Sequence, residues 1–371
     1  MRLLEGPELI TGLADALAGG PPVAPLPESR LLPVLAPGEP VEAGAAAVVA
    51  TSGSTGDPKA VVLGRSAIRF AAGAAHDRLG GPGEWVCALP TQHVAGLMTI
   101  ARAVVAGTGL RFARPDLADL PAPRGRTYVS LVAAQLDRAL DDPLLADRLS
   151  GYAAVLVGGS AVPSTLRARA AQTGVRVVTS YGMSETCGGC VYDGVPLAGV
   201  RVELAGSGEP GAGPGAGRIA LGGGMAFLGY RLRPELTARV LTGDLVLTGD
   251  RGRWVDGRLE VLGRVDDVVI TGGVNVDLAA AQRACDAEFG PGVLALLAVP
   301  DERWGVRVVA LTTGDLGPGE VRERLERRIG RAAVPRELRR VATLAYTSLG
   351  KIDRGALARA WHGKGGDGIA G

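Results

Sequence analysis

Residues Thr51 to Ala60 read TSGSTGDPKA and stand between two apolar runs, Ala45–Ala50 and Val61–Leu63. That contrast constrains the fold more than any other stretch. A short apolar run bounded by turn-forming residues reads as a buried strand. Where such a strand breaks into consecutive small hydroxyl and glycine residues, the backbone turns tightly and its N–H groups and hydroxyls converge on one point. Lys59 then adds a compact positive charge. A cradle of this kind suits a polyphosphate. It is not a Walker A loop, which needs Gly-Lys-Ser/Thr in direct succession: Asp57 and Pro58 separate Gly56 from Lys59, and Ala60 follows the lysine. An ordinary Ser/Gly linker is the alternative, but a linker has no reason to sit between two buried runs.

Lysine is scarce in this chain. Of 40 basic residues only Lys59, Lys351 and Lys364 are lysine, and the rest are arginine. Where arginine serves almost everywhere, a retained lysine points to work that needs a small point charge. Lys364 lies in a Gly-rich tail, which leaves Lys59 and Lys351 to explain. The net charge of +2 is spread without a basic block, which argues against nucleic acid or an anionic membrane as the main partner. No apolar run is long enough to span a bilayer, the N-terminus lacks the unbroken core of a signal peptide, and four cysteines in 371 residues make no disulfide framework. The expectation is a cytoplasmic protein whose oligomeric state, a homodimer included, stays open.

From Ala45 to about Val178 apolar strands alternate with helical patterns, such as one through Leu79 that Ser66 is expected to cap. Such alternation predicts an α/β layered domain with largely parallel sheets. Ligands of these sheets bind beyond the carboxyl ends of strands. The Thr51 loop, Gly158-Gly159-Ser160 and Ser180-Tyr181-Gly182 each follow a predicted strand and are expected on one rim. Residues 1–44 read as one short helix and otherwise wrapping loop. From Gly199 the pattern turns to β, with Asp256-Gly257 as a hairpin signal. After GRVDDVVITGG (Gly263–Gly273) a small α+β unit follows. The expected organisation is therefore a large domain over 1–265 that includes a β-rich part, and a small, mobile α+β domain over 266–371 whose last residues, 363–371, are disordered.

Several further segments carry chemistry. SYGMSE, Ser180 to Glu185, offers a ring to stack on a base (Tyr181), close backbone approach (Gly182), a hydroxyl for a phosphate oxygen (Ser184) and a carboxylate for a hard cation (Glu185). Read alone, it serves equally as a tight loop with a surface glutamate. In LTGDRG, Asp250 reads either as a turn residue or as a carboxylate for the ribose hydroxyls of a nucleotide, with Arg264 as a further donor. In LGKIDR, Gly350 presents Lys351 at a loop tip, unless the lysine is merely solvated. His93, one of three histidines, lies between a strand end and a helix start, as a packed loop residue or a functional one. Cys187-Gly188-Gly189-Cys190 is a lone CxxC with no second pair and no nearby histidine, and reads as a glycine-rich pocket wall rather than a zinc or redox site.

Taken in order, these segments resemble the adenylate-forming superfamily of acyl-CoA ligases, adenylation domains and luciferases. The stretch holding Thr51, Ser52, Gly53, Ser54, Thr55, Gly56 and Lys59 is similar to its phosphate loop. Ser180, Tyr181, Gly182, Met183, Ser184 and Glu185 are similar to its adenine and Mg²⁺ motif. LTGD ending on Asp250 resembles its ribose-binding segment, GRVDD its hinge with Asp266 as pivot, and LGKIDR the segment carrying its catalytic lysine, Lys351. The resemblance covers nearly the whole chain from Ala45, although much of the superfamily's usual N-terminal region is missing. LPTQHVAGL and SYGMSETCGGCVYDGVPL resemble the acyl-pocket segments of the o-succinylbenzoate–CoA ligases of menaquinone biosynthesis, in their short actinobacterial form. Departures are Ala60, where a glycine is usual, and Ala280-Ala281-Gln282, where a Glu-Ile-Glu run is usual.

The resemblance implies ATP-dependent activation of a carboxylic acid to an acyl-adenylate, then transfer to CoA, with ATP, Mg²⁺ and CoA taken up and AMP and pyrophosphate released. Glu185 would ligate the metal, Gly159, Ser160 and Tyr181 would hold adenine, and Asp250 and Arg264 the ribose. Lys351, with His93, would be catalytic. His93, Arg102, Gly188 and Gly189 would face the acyl group, with Arg102 as the cation for a second carboxylate. Gly272 and Gly273 would line the CoA tunnel. The same residues admit an enzyme that acts on another aryl or acyl acid, or that passes its acyl group to a carrier protein. A non-catalytic nucleotide-binding module is a third reading, opposed by the presence of Lys59, Glu185, Asp250 and Lys351 together.

Overall fold

The computed structural model describes residues 1–51, 58–206, 215–346 and 352–363, with Asp266 and Asn275 described by their backbone only. The chain divides into two compact units. The first comprises Met1–Glu203, Ala220–Thr248 and Asp256–Leu259, and the second Leu204–Ile219, Gly249–Val255 and Glu260–Gly371.

Two sheets of the first unit matter for the site. In one, the order is Arg2–Leu4, Val23–Pro25, Ala45–Thr51, Lys59–Gly64, Gly229–Tyr230. The apolar runs on either side of TSGSTGDPKA are the two central strands, as their buried residues require, and they pair antiparallel in a register that sets Thr51 opposite Lys59. Residues 1–44 are thus not loop outside their helix Glu8–Ala18. They add two three-residue parallel strands, too short to show a periodicity in sequence.

The second sheet runs in the order Val195–Pro196, Gly188–Tyr192, Val177–Met183, Ala154–Gly158, Thr127–Val132, Glu84–Cys87, Leu110–Phe112. Its last five strands are parallel, and the first two are antiparallel additions. Alternate residues enter two different cores. Trp85, Tyr128 and Leu156 pack with Ala75 and Leu79 of helix Arg65–Leu79 and Ala103 of helix Val94–Ala106. Val86, Val129 and Val157 pack instead with Leu136, Leu149 and Leu166 from the helices Ala133–Asp141, Pro143–Ser150 and Ser164–Gln172. A parallel sheet covered on both faces is the predicted layered α/β architecture. Ser66 is not the cap of its helix: Gly64 holds that place with no side-chain cap, and Ser66 lies inside the first turn.

A third sheet joins Arg201–Ala205, Ala216–Gly222, Leu245–Val255 and Leu241–Thr242 in that order, with Arg258–Arg264 paired to Leu245–Val255. Asp256 and Gly257 both have positive φ, 48° and 71°, as the predicted two-residue hairpin turn demands. The second unit contains the small α+β element, a sheet of Val274–Asp277, Val268–Thr271, Gly305–Thr312 and Leu294–Asp301, with Leu338–Arg340 paired to Gly305–Thr312. Helices Leu278–Phe289 and Pro318–Ile329 supply one core of it, and Leu357 and Trp361 of helix Arg354–Gly363 the other. Among the described residues no helix is long and apolar enough to cross a membrane.

Candidate active site

The two sheets of the first unit bring the lysine of TSGSTGDPKA to the glutamate of SYGMSE. Lys59 opens its strand and Glu185 lies in the short turn Ser184–Thr186 that follows strand Val177–Met183. The Lys59 Nζ donates to Glu185 Oε1 at 2.8 Å. A third group, absent from the sequence reading, completes the cluster. The Tyr230 hydroxyl accepts from Lys59 Nζ at 2.7 Å and donates to Glu185 Oε1 at 2.6 Å, while the ammonium also stands 4.2 Å from the centre of the Tyr230 ring. Burial, and after it the Glu185 carboxylate, push the Tyr230 phenol far above its ordinary pKa, so it stays a proton donor. Lys59 and Glu185 therefore meet from two different sheets. Ser52, Gly53, Ser54, Thr55 and Gly56 lie outside the described residues. Thr51 ends its strand, and its hydroxyl donates to the Lys59 carbonyl at 3.4 Å.

Ser180 to Met183 are strand rather than loop, because they pair with Gly188–Tyr192. The glycines answer to crowding across the strand pair. A Cβ on Gly182 would meet the Gly188 carbonyl oxygen, and one on Gly189 would come within 2.8 Å of the Ser180 Cβ. Gly188 has φ 82°, a left-handed conformation that favours glycine. At the carboxyl end of strand Ala154–Gly158, Gly159 is left-handed at φ 84°, and both it and Ser160 are exposed. Tyr181 and Ser184 are half-buried.

His93 caps helix Val94–Ala106 with its backbone, and burial lowers the pKa of its half-buried imidazole against an opposing pull from Glu28. It is therefore neutral near pH 7. Arg102 lies deeper on the same helix and is buried. Its guanidinium stands 4.9 Å from the Trp85 ring centre and donates to the Tyr192 hydroxyl at 3.5 Å. Its Nε has no hydrogen-bond partner, and no carboxylate pairs with it among the described residues. A buried guanidinium without a counter-charge is costly unless an anion reaches it.

Cys187 and Cys190 are free, buried thiols, as are Cys87 and Cys285. Burial pushes Cys87 up to about 11 and Cys190 and Cys285 to about 12, with Asp286 adding to the rise at Cys285, and it drives Cys187 the same way. No group of three or more metal-ligating side chains occurs among the described residues. Both thiols of the CxxC therefore lie in the protein interior. At about pH 8 a thiol-reactive disulfide reagent should read essentially no thiol in the native protein and all four after unfolding in guanidinium. Rapid native labelling of even one would contradict the burial.

In the second unit Asp250 sits within the long strand Leu245–Val255, so its turn reading is wrong: the whole LTGDRG run is paired backbone. The Arg264 guanidinium lies 3.6 Å from the Asp250 carboxylate, and a Cβ on Gly249 would collide with it. Asp266 falls in the turn Val265–Asp267. Gly272 and Gly273 form the tip of the hairpin Val268–Asp277, both left-handed, with Gly272 against the Trp304 ring. Lys351 and the tail 364–371 lie outside the described residues. Among the described residues around it, Tyr346 bridges Ile352, Asp353 N–H donates to the Ala345 carbonyl at 2.9 Å, and Arg354 pairs with Asp267 at 2.5 Å.

A family profile described as "AMP-binding enzyme" matches residues 17–231. A probable 2-succinylbenzoate–CoA ligase of Mycobacterium tuberculosis is 40% identical over 96% of this chain and 96% of its own length. A 2-succinylbenzoate–CoA ligase of Enterococcus faecalis is 26% identical over 83% of this chain and 68% of its own. Among solved structures, the o-succinylbenzoate CoA synthetase of Bacillus subtilis in complex with its acyl-adenylate intermediate aligns with a TM-score of 0.72 at 24% identity, covering 84% of this chain and 69% of that one. This last likeness is one of fold.

Proposed function

Because the chain belongs to the family of AMP-binding enzymes, we propose that it is an acid–thiol ligase that activates 2-succinylbenzoate with ATP and transfers the acyl group to CoA, in the cytoplasm, for menaquinone biosynthesis. The observation that carries this reading is the 2.8 Å pairing of Lys59 with Glu185, which gathers a mobile cation and a cation-binding carboxylate at one point. A carboxylate oxygen of the acid attacks the α-phosphorus of ATP. The bond to the bridging oxygen breaks, and its electron pair leaves with pyrophosphate. Two anions must approach each other, so positioning and charge neutralisation supply most of the rate. Lys59 and the Thr51–Gly56 hydroxyls and amides take the β- and γ-phosphates. Lys351 bridges the incoming carboxylate and the α-phosphate. Gly159, Ser160 and Tyr181 hold adenine, and Asp250 with Arg264 the ribose.

Glu185 is the residue that would hold Mg²⁺. One buried carboxylate, with no clustered partners among the described residues, fits this ion as it arrives with the triphosphate, since Mg²⁺ takes one or two carboxylates plus phosphates and water. The bound ion would neutralise charge on the departing pyrophosphate. In the second half-reaction the CoA sulfur attacks the acyl carbonyl and AMP leaves. His93, neutral through burial, can accept the thiol proton, and Gly272-Gly273 line the path of the thiol arm. We assign the exchange between half-reactions to a swing of 266–371 about Asp266 that withdraws Lys351. Arg102 is assigned to the second carboxylate of the substrate, and Gly188 and Gly189 to the acyl wall.

A panel of carboxylic acids, scored by pyrophosphate release and then by thioester formation with free CoA, tests the reading. 2-Succinylbenzoate should exceed the other acids by at least about tenfold in kcat/KM, the scale on which a pocket that pairs a substrate charge discriminates. No pyrophosphate release with any acid would remove the ligase assignment. Release without CoA thioester would redirect it to a carrier-protein acceptor.

A further inference from the structure

Lys59 and Glu185 have tasks in the reaction above, whereas Tyr230, which touches both, has none. We propose that Tyr230 is a positioning residue: its hydroxyl keeps the Glu185 carboxylate oriented for the divalent cation that accompanies the nucleotide while Lys59 is released to the phosphates. This rests on the function proposed above and assigns a residue that the motifs do not contain.

The backbone around Tyr230 ties the two motifs together. Phe227 N–H donates to the carbonyl of Glu185 itself at 2.9 Å. Leu228 N–H and Arg231 N–H donate to the carbonyls of Val62 and Ala60, both at 2.9 Å, and Tyr230 lies opposite Val61 in the strand that Lys59 opens. Residues 227–231 are thus hydrogen-bonded to the glutamate turn at one end and to the lysine strand at the other. The Tyr230 ring is held edge-on by Phe227, with centres 5.0 Å apart, and its N–H donates to the Thr237 hydroxyl at 2.8 Å. A phenol fixed by so many contacts delivers its hydroxyl to one place.

At that place one carboxylate oxygen receives two donors, the ammonium and the phenol. The carboxylate is buried, so a missing donor is costly there. When the ammonium turns to a triphosphate, the phenol is the donor that stays. It keeps Oε1 satisfied and leaves the remaining lone pairs of the carboxylate for the cation. Without the hydroxyl, the carboxylate must either keep Lys59 or stand with Oε1 bare, and both disfavour the cation-bound state. If no cation arrives, the carboxylate has nothing to coordinate and its orientation matters little, so the hydroxyl contributes nearly alike to the free and nucleotide-bound forms. The loss is therefore specific to cation-dependent binding.

Tyr230→Phe tests this, because it removes the hydroxyl and retains the ring contacts. The probe is α,β-methylene-ATP, which cannot release pyrophosphate, with affinity read by calorimetry in Mg²⁺ and again in EDTA. We expect Tyr230→Phe to weaken binding about tenfold in Mg²⁺, the scale of one hydrogen bond to a charged group, and by less than about twofold in EDTA. In a Glu185→Gln background the same substitution should cost little more, since the group it orients is gone. Equal weakening with and without Mg²⁺ is what a purely structural role gives, and it overturns the proposal, as does unchanged binding in Mg²⁺ or a full additional loss on Glu185→Gln. Failure of the unsubstituted protein to bind the nucleotide at all would overturn the proposed function as well.

Discussion

Replacing Lys351 by alanine should lower acid-dependent pyrophosphate release by about a thousandfold, the cost of removing a preorganised donor from a charge-developing transition state. Thioester formation from a supplied acyl-adenylate should stay within about threefold of the unsubstituted enzyme, well inside one tenfold step of activation free energy. The asymmetry is the point. A lysine that cancels repulsion between a carboxylate and an α-phosphate is needed only while those two anions approach. Once the mixed anhydride exists, the second step involves a thiol and no incoming anion. Tyr346 and Ile352 to Arg354 are held by the Tyr346–Ile352 bridge and the Arg354–Asp267 pair, so substitution of the lysine should leave these residues in place. Measuring the two half-reactions separately decides the matter, and equal loss in both would assign Lys351 a structural or binding role instead.

Arg231→Ala should destabilise the protein by roughly 3–5 kcal/mol, read as a shift in the midpoint of denaturant unfolding. The Arg231 side chain is fully buried and donates to the main-chain carbonyls of Leu35, Ala36, Glu39 and Pro40, and to the Glu42 carboxylate at 3.2 Å. Alanine strands all these acceptors around a void, and an unpaired buried acceptor costs its full desolvation. Arg231→Lys should fall between the two, because an ammonium carries three donors on a flexible stem rather than a planar fork of five. A loss below about 1 kcal/mol for alanine would mean that water replaces the guanidinium without penalty.

What the sequence conveyed, and what it did not, follows from where each interaction closes. The strands around TSGSTGDPKA, the alternation through the large sheet and the Asp256-Gly257 hairpin are local patterns, and apolar periodicity or turn chemistry reveals them. Lys59 was conspicuous because lysine is rare here, and Glu185 because it ends a run of small and aromatic residues. Tyr230 carried only the faint signal of FLGYR. Its significance depends on partners 171 and 45 residues away, which no local pattern encodes. Arg231 was invisible for a related reason, since its acceptors are mainly backbone carbonyls and any sequence supplies those. SYGM and LTGD were read as loop because Ser, Gly and Asp favour turns, yet pairing across to Gly188–Tyr192 in one case, and a long strand in the other, overrode that preference. Gly182 belongs there because the backbone at Gly188 approaches too closely for a side chain, and Gly189 because the Ser180 side chain does, requirements that only the opposed strand makes apparent.

Tyr230 and Arg231 are consecutive residues with opposite obligations. One phenol serves a charge pair, and the next guanidinium clamps the turn over residues 35–42. Trimming the amino end into that turn would therefore do more than shorten a tail. It would unseat the anchor one residue away from Tyr230, and a shortened chain would keep the Lys59–Glu185–Tyr230 cluster with nothing behind it. The turn over residues 35–42 is thus a buttress for the strand that carries Tyr230.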